Sequence, residues 1–389
     1  MKREPGDRQS AEPQVRVVKG RGAVSSPQGR FDLLQRDPFD DGWHREEDPA
    51  APSATTVTVE HARSILVRNR SPDVPFDLSI NPYRGCEHGC VYCYARPNHA
   101  YVGLSPGADF ETRLFAKVGA AQLLVSELSS PSYRCEPINI GSSTDPYQPI
   151  EREYRITRSV LQVLADCRHP ATVITKSSLI ERDIDLLAPM ARDGLVAAFV
   201  SITTLDAELA RLWEPRAAAP WRRLETVRRL AEAGIPVGVS VAPVVPFLNE
   251  PELERVLEAS REAGASRAQY MVLRLPWELK EVFTQWLRTH FPDRADRVLN
   301  RLREMRDPQA PERLNDPRFF SRMKGRGNWA ELVRLRFEVA TRRLGLNRDR
   351  LDLRTDLFAP PRSDGQLGLF SAPPAVADAR AGPTDSEGG

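Results

Sequence analysis

The chain has 389 residues, 41% of them hydrophobic and 28% charged, with 55 lysines and arginines against 53 acids. That is the make-up of a globular chain with room for one large domain or two ordinary ones. It holds no run of about eighteen apolar residues, which excludes a transmembrane helix, and its near-neutral balance gives no global electrostatic case for nucleic acid. The opening stretch, MKREPGDRQSAEPQ, carries no apolar segment, so a cytoplasmic protein without membrane association is expected.

Residues 1–57 mix Arg, Asp, Glu, Pro and Gly without a sustained period and read as a disordered arm. From 58 to 290, short β-rich apolar runs alternate with amphipathic stretches. Strands are predicted over 77–81, 138–141, 172–175, 196–202, 237–242 and 269–273. Helices are predicted over 156–167, 180–191, 222–233 and 252–263; the last two run into Gly234 and Gly264, the residue type that a left-handed C-cap favours. Strands separated by single helices pair in parallel with right-handed crossovers. Their continuously apolar character means that both faces are covered. The expected class is therefore α/β, a sheet or a barrel, with its chemistry at the C-terminal ends of the strands. Residues 291–350 read as an Arg-rich helical extension and 351–389 as a low-complexity tail.

Of five cysteines, Cys86, Cys90 and Cys93 fall within eight residues as Cys-x3-Cys-x2-Cys, just after the first predicted strand of this block. Three thiolates so close in sequence converge only if the backbone wraps around one object, and Gly85 and Gly89 permit the turns. A zinc site completed by His88, His99 or a distant residue is one reading. Structural zinc sites are closed with four ligands and usually draw on two Cys-x2-Cys pairs; here no second pair exists, since Cys135 and Cys167 stand alone and read as inert small residues. The other reading is an iron–sulfur cluster with one iron left without a protein ligand, which implies catalysis.

With Tyr92 directly before the last cysteine, the motif resembles the signature of radical S-adenosylmethionine (SAM) enzymes. The later blocks Gly141-Ser142-Ser143-Thr144-Asp145-Pro146-Tyr147-Gln148-Pro149, Ile174-Thr175-Lys176-Ser177, Ser201-Ile202-Thr203-Thr204, Glu214-Pro215-Arg216 and Val241-Ala242-Pro243 resemble its spore photoproduct lyase-like branch, often labelled DNA repair photolyases. The resemblance runs from about residue 64 to 346. It implies a partial (β/α)6 barrel of TIM type and a [4Fe–4S] cluster held by Cys86, Cys90 and Cys93. It further implies that SAM chelates the fourth iron and is cleaved reductively to a 5′-deoxyadenosyl radical that abstracts hydrogen. The protein then supplies binding, orientation and exclusion of competing reactions.

Matched motif to motif, Tyr92 lies near the adenine of the cofactor, and Tyr94 flanks the last ligand. Thr144 and Asp145 stand where the superfamily usually carries a Gly-Gly-Glu motif for the amino group of SAM, a motif absent here. Lys176, one of six lysines in the chain, is the candidate partner of the methionine carboxylate, a point charge on a flexible stem. Ser201 is a candidate donor to the same group. Glu214 and Arg216 match the branch and equally suit a structural ion pair. One departure concerns the reaction itself: spore photoproduct lyase carries a cysteine as hydrogen-atom donor where this chain has Ser142, and an O–H bond is too strong for that role.

The implied function is hydrogen abstraction on nucleic acid, as photolyase-like repair or modification, with DNA or RNA as a possible substrate. The alternatives are modification of a protein, RNA or metabolite, or a non-catalytic zinc or iron–sulfur protein that binds nucleic acid. Residues 291–350 hold 15 Arg and one Lys against nine acids, with Phe319, Phe320 and Trp329 among Arg318, Arg322, Lys324 and Arg326. Cations beside stackable rings suit a nucleic-acid surface; a solvated helical face with the rings packed inward is the competing reading. Gln366-Leu367-Gly368-Leu369-Phe370 resembles the peptide by which bacterial DNA enzymes dock on the replication sliding clamp. A reductase such as flavodoxin or ferredoxin is the expected electron-donating partner.

Overall fold

The computed structural model describes residues 17–31, 54–306 and 313–361. Its strands are β1 (Thr56–Val59), β2 (Leu66–Arg68), β3 (Leu78–Ile80), β4 (Tyr83–Arg84), β5 (Arg113–Ala116), β6 (Ile138–Ile140), β7 (Ala171–Thr175), β8 (Val196–Ser201), β9 (Val237–Val244) and β10 (Arg267–Val272). The large sheet runs β10-β9-β8-β7-β6-β3-β2. Neighbours from β3 to β10 are parallel, and β2 adds antiparallel to β3. A small sheet, β1-β5-β4, stands beside it. The six parallel strands are those predicted, and they form the partial barrel.

Each strand keeps its place because both faces are covered. β6 and nearly all of β8 and β9 are buried along their length. Phe199 of β8 pairs in register with Gly238 of β9, and a Cβ on Gly238 would overlap the Phe199 ring, so glycine there makes room for the aromatic. The helices turn inward at the expected spacing: Val160, Leu161 and Leu164 from Ile156–Asp166, and Leu253, Val256, Leu257 and Ser260 from Leu253–Glu262. The predicted helix over 180–191 is instead a 3-10 turn, Ser178–Asp183, followed by the helix Ile184–Arg192. Its break coincides with Asp183, buried and bound by Tyr147, Arg158 and Arg182.

The extension forms the helices Pro292–Arg306, Ser321–Lys324 and Gly327–Leu344. Arg306 is fully buried and donates to the backbone carbonyls of Val272, Leu273 and Arg322, tying the extension to the end of β10. Trp329 packs inward against the core, whereas Phe319 and Phe320 remain 48% and 66% exposed.

Two stretches read as unstructured belong to the fold. Residues 21–31 lie across the cysteine loop, with Ala23, Val24 and Ser25 buried; composition missed this because their order comes from distant partners. At the start of the tail, Arg354 and Ala359 donate to the carbonyls of Gly194 and Cys167, and Phe358 packs edge-on against Tyr133 and His169. The peptide 366–370 lies outside the described residues. Among the described residues no helix is long and apolar enough to cross a membrane.

Candidate functional site

Parallel strands place their C-terminal ends on one side, so Asn81 and the cysteine loop (after β3), Ser142 (after β6), Lys176 (after β7), Ser201 (ending β8) and Arg274 (after β10) share one mouth. Cys86 and Cys90 are each 7% exposed and Cys93 is half-buried, all three as free thiols. Gly85 and Gly89 adopt φ +74° and +69°, and a Cβ at either would collide with Leu114 or Glu111, so the loop cannot be rebuilt with other residues.

A single guanidinium holds this loop. Arg96 is fully buried and spends all five of its N–H donors. Nε donates to the Cys90 carbonyl at 2.8 Å, Nη1 to those of Pro106 (3.1 Å) and Gly107 (2.8 Å), and Nη2 to that of Gly89 (3.0 Å) and to the carboxylate of Glu111. Glu111 in turn accepts the backbone N–H groups of Gly22 (3.0 Å) and Ala23 (2.8 Å). The segment 21–31 is thereby strapped over the loop, and its far end is fixed by Arg30, paired with Glu278 at 3.1 Å. A Cβ on Gly22 would overlap the Gly89 carbonyl. Gly22→Val is therefore expected to lift the strap, and faster amide hydrogen exchange in peptides covering 86–96 is the measurement that checks it; exchange matching the wild type would refute the strap's role.

The block 141–149 braces the same loop. Asn81 Nδ2 donates to Ser142 Oγ at 3.0 Å and its Oδ1 accepts from Ser143 N at 2.8 Å. Thr144 Oγ1 donates to the Tyr83 carbonyl at 2.8 Å. Gln148 spans the loop, accepting from Glu87 N at 2.9 Å and donating to the Gly85 carbonyl at 3.1 Å. The Asp145 carboxylate accepts from Tyr147 N (2.9 Å), Thr175 Oγ1 (2.7 Å) and Lys176 N (2.7 Å) and faces His88 Nδ1 at 3.3 Å. Burial alone would raise this carboxyl, but His88 and those hydrogen bonds hold it down at about 2. Thr144 and Asp145, expected at the amino group of SAM, thus have their side chains engaged by the chain's own groups.

Tyr92 is buried, stands edge-on to Trp213 at 5.2 Å, and donates its hydroxyl to Glu214. Glu214 also accepts from Thr203 Oγ1 at 2.9 Å and pairs with Arg223. Its partner is thus Arg223 and not Arg216, which pairs with Glu87 of the cysteine loop at 2.8 Å. The Lys176 ammonium lies 5.8 Å from the centre of the Tyr92 ring, and among the described residues no carboxylate pairs with it. Ser201 is buried and gives its carbonyl to Arg223. Tyr94 is 41% exposed; its hydroxyl donates to the Ser142 carbonyl, and Arg274 lies over its ring. Cys167 is buried in the main core cluster, away from this loop, and Cys135 is half-buried just before β6.

This chain is 34% identical to an uncharacterized protein of Mycobacterium tuberculosis over 268 residues, 67% of this chain and 78% of that one. Residues 80–260, from the end of β3 to the helix before β10, match the family model of the Radical SAM superfamily. The chain belongs to the radical SAM superfamily. An uncharacterized protein of Methanocaldococcus jannaschii is 27% identical over 173 residues, 44% of this chain and 62% of its own. Among solved structures, a point mutant of spore photoproduct lyase aligns over 75% of this chain and 80% of its own, with a TM-score of 0.51 at 16% identity. The fold is shared with it.

The chain is accordingly a radical SAM enzyme, and its donor set suits the cluster and cofactor of that superfamily. Burial, then Asp145, Cys90 and Cys93, push the Cys86 thiol well above its ordinary value; burial pushes Cys90 up to about 12, opposed by Lys176. Thiolate charge at that depth needs cationic metal beside it. Of the fourth ligands of a zinc reading, His88 faces Asp145 through Nδ1, and His99 directs Nε2 to the Arg113 carbonyl at 2.9 Å and keeps its buried Nδ1 without a hydrogen-bond partner. Arg96, Glu111, Asn81 and Gln148 were not legible as site residues, since each acts through partners that sequence spacing does not mark.

Proposed function

We propose that this radical SAM enzyme holds a [4Fe–4S] cluster on Cys86, Cys90 and Cys93, binds SAM at the barrel mouth, and abstracts hydrogen from nucleic acid. The observation that carries the reading is the pairing of three thiols, two buried and one half-buried, on an internally braced loop with an ammonium, Lys176, that no acid of the described chain neutralises. When bound, cluster and SAM supply one-electron cleavage of a sulfonium and a carbon radical able to take hydrogen.

The rest is the chain's contribution. Arg96 fixes the loop carbonyls and so the direction of the thiols. Lys176 offers its charge to the methionine carboxylate, and Ser201 a hydroxyl to the same group. Glu214, anchored by Arg223, orients Tyr92 as a wall of the cofactor space. Apolar packing of Val24, Val91, Trp213 and Leu273 behind the loop excludes water. Nucleic acid as target is supported by exposed Phe319 and Phe320 beside arginines. A small flavin or iron–sulfur reductase as electron donor and a sliding clamp engaged by 366–370 complete the proposal.

Anaerobic reconstitution followed by dithionite and SAM tests it. Methionine and 5′-deoxyadenosine should form, and Cys90→Ala protein should yield neither; bound zinc without turnover would overturn the reading. Deuterium transfer from labelled DNA or RNA into 5′-deoxyadenosine tests the target, and transfer only from peptides or metabolites of a cell extract would replace it.

A further inference from the structure

Several of the extension's basic residues already carry ion pairs. Arg318 pairs with Asp316 at 2.8 Å, Arg322 with Asp73 at 2.6 Å, Arg336 with Glu250 and Glu254, and Arg343 with Glu258. Lys324 donates to the Tyr270 carbonyl at 3.2 Å. A cation already paired with a carboxylate attracts a further anion less.

Arg274 differs. It stands just beyond the end of β10, half-buried, at the mouth that holds the cysteine loop. Its Nε is buried without a hydrogen-bond partner, and Nη1 reaches the thioether of Met323 at 3.8 Å, a weak acceptor. Among the described residues no carboxylate pairs with it. The guanidinium lies 5.6 Å from the centre of the Tyr94 ring, and Tyr94 directly follows the last cysteine of the motif. The nearby Asp73 carboxylate is already paired with Arg322, and a half-buried cation without an ion pair of its own is costly unless an anion arrives. On the adjoining turn, before the short helix that carries Met323, Phe319 and Phe320 present exposed rings. Phe320 is held at φ +65°, with its N–H donating to Asp73, a conformation that bulky residues rarely adopt.

A planar fork with open donors recognises an oxyanion, and exposed rings recognise a base. The combination fits a nucleotide unit. We propose that Arg274 receives a backbone phosphate of the nucleic-acid substrate at the barrel mouth, with Tyr94 and the Phe319–Phe320 turn forming the surface on which adjacent bases lie. This rests on the nucleic-acid reading above and assigns its contact.

The test is fluorescence anisotropy of the full chain with labelled single-stranded DNA and RNA oligonucleotides over a range of salt. Arg274→Ala should weaken binding about tenfold or more and lower the slope of log affinity against log salt by about one. Arg274→Lys should restore the slope and part of the affinity, and Arg343→Ala should change nothing. Arg274 forms no ion pair among the described residues and touches only the Met323 thioether and the Tyr94 ring, so the thermal midpoint of its alanine variant should stay close to the wild type. Wild-type binding that survives Arg274→Ala would refute this contact and leave the nucleic-acid reading standing. Failure of the wild type to bind any oligonucleotide would overturn both. A loss of SAM affinity with oligonucleotide binding intact would reassign Arg274 to the cofactor and also overturn the proposal.

Discussion

Arg96→Met should cost about 3–5 kcal/mol of stability, because it leaves the Glu111 carboxylate buried without its cation. Arg96 and Glu111 are both completely enclosed. The loss extends beyond the pair, since four loop carbonyls lose their donor at once, and each unsatisfied buried acceptor adds about 1–3 kcal/mol before relaxation. Arg96→Lys should fare nearly as badly, for three donors on a flexible stem cannot reproduce five in a fixed plane. Thermal melting and the iron content of reconstituted protein are the readouts. An Arg96→Lys variant that melts with the wild type and retains its iron would show that the guanidinium is dispensable.

The second large effect falls on cofactor affinity. Lys176→Met is expected to preserve the fold, since Lys176 forms no ion pair among the described residues and its backbone N–H to Asp145 remains. It should weaken SAM binding about tenfold to a hundredfold, the worth of one charge-assisted hydrogen bond in a partly desolvated site. Lys176→Arg should recover part of this. Titration of SAM into the reduced, reconstituted protein, followed by the cluster's electron paramagnetic resonance signal, measures it directly. Unchanged half-saturation in Lys176→Met would remove Lys176 from the cofactor site.

The barrel was legible because its strands are apolar on both faces and its helices repeat at 3.6 residues; β6 to β10 fall within about two residues of the predicted spans. The three cysteines were legible because their spacing is local. What holds them was not. Arg96 clamps carbonyls contributed by two turns, Glu111 reaches back to Gly22 and Ala23, and Gln148 spans Gly85 and Glu87. A backbone carbonyl has no sequence signature, and a partner 60 or more positions away has no period. Glu214 pairs not with nearby Arg216 but with Arg223, which the first turn of the helix Pro220–Glu232 turns back toward it. The block 141–149 packs against the cysteine loop. Its Thr144 and Asp145 brace the loop with side chains that motif matching had directed at the cofactor.

The strap has a consequence for biogenesis. Residues 21–31 leave the ribosome ahead of every partner they require, and the last of these, Glu278, follows the final barrel strand. Anchoring of its far end therefore waits until synthesis has passed the whole barrel. Until then the strap can be held by Glu111 at its near end, and the cover over that side of the loop lacks its second anchor.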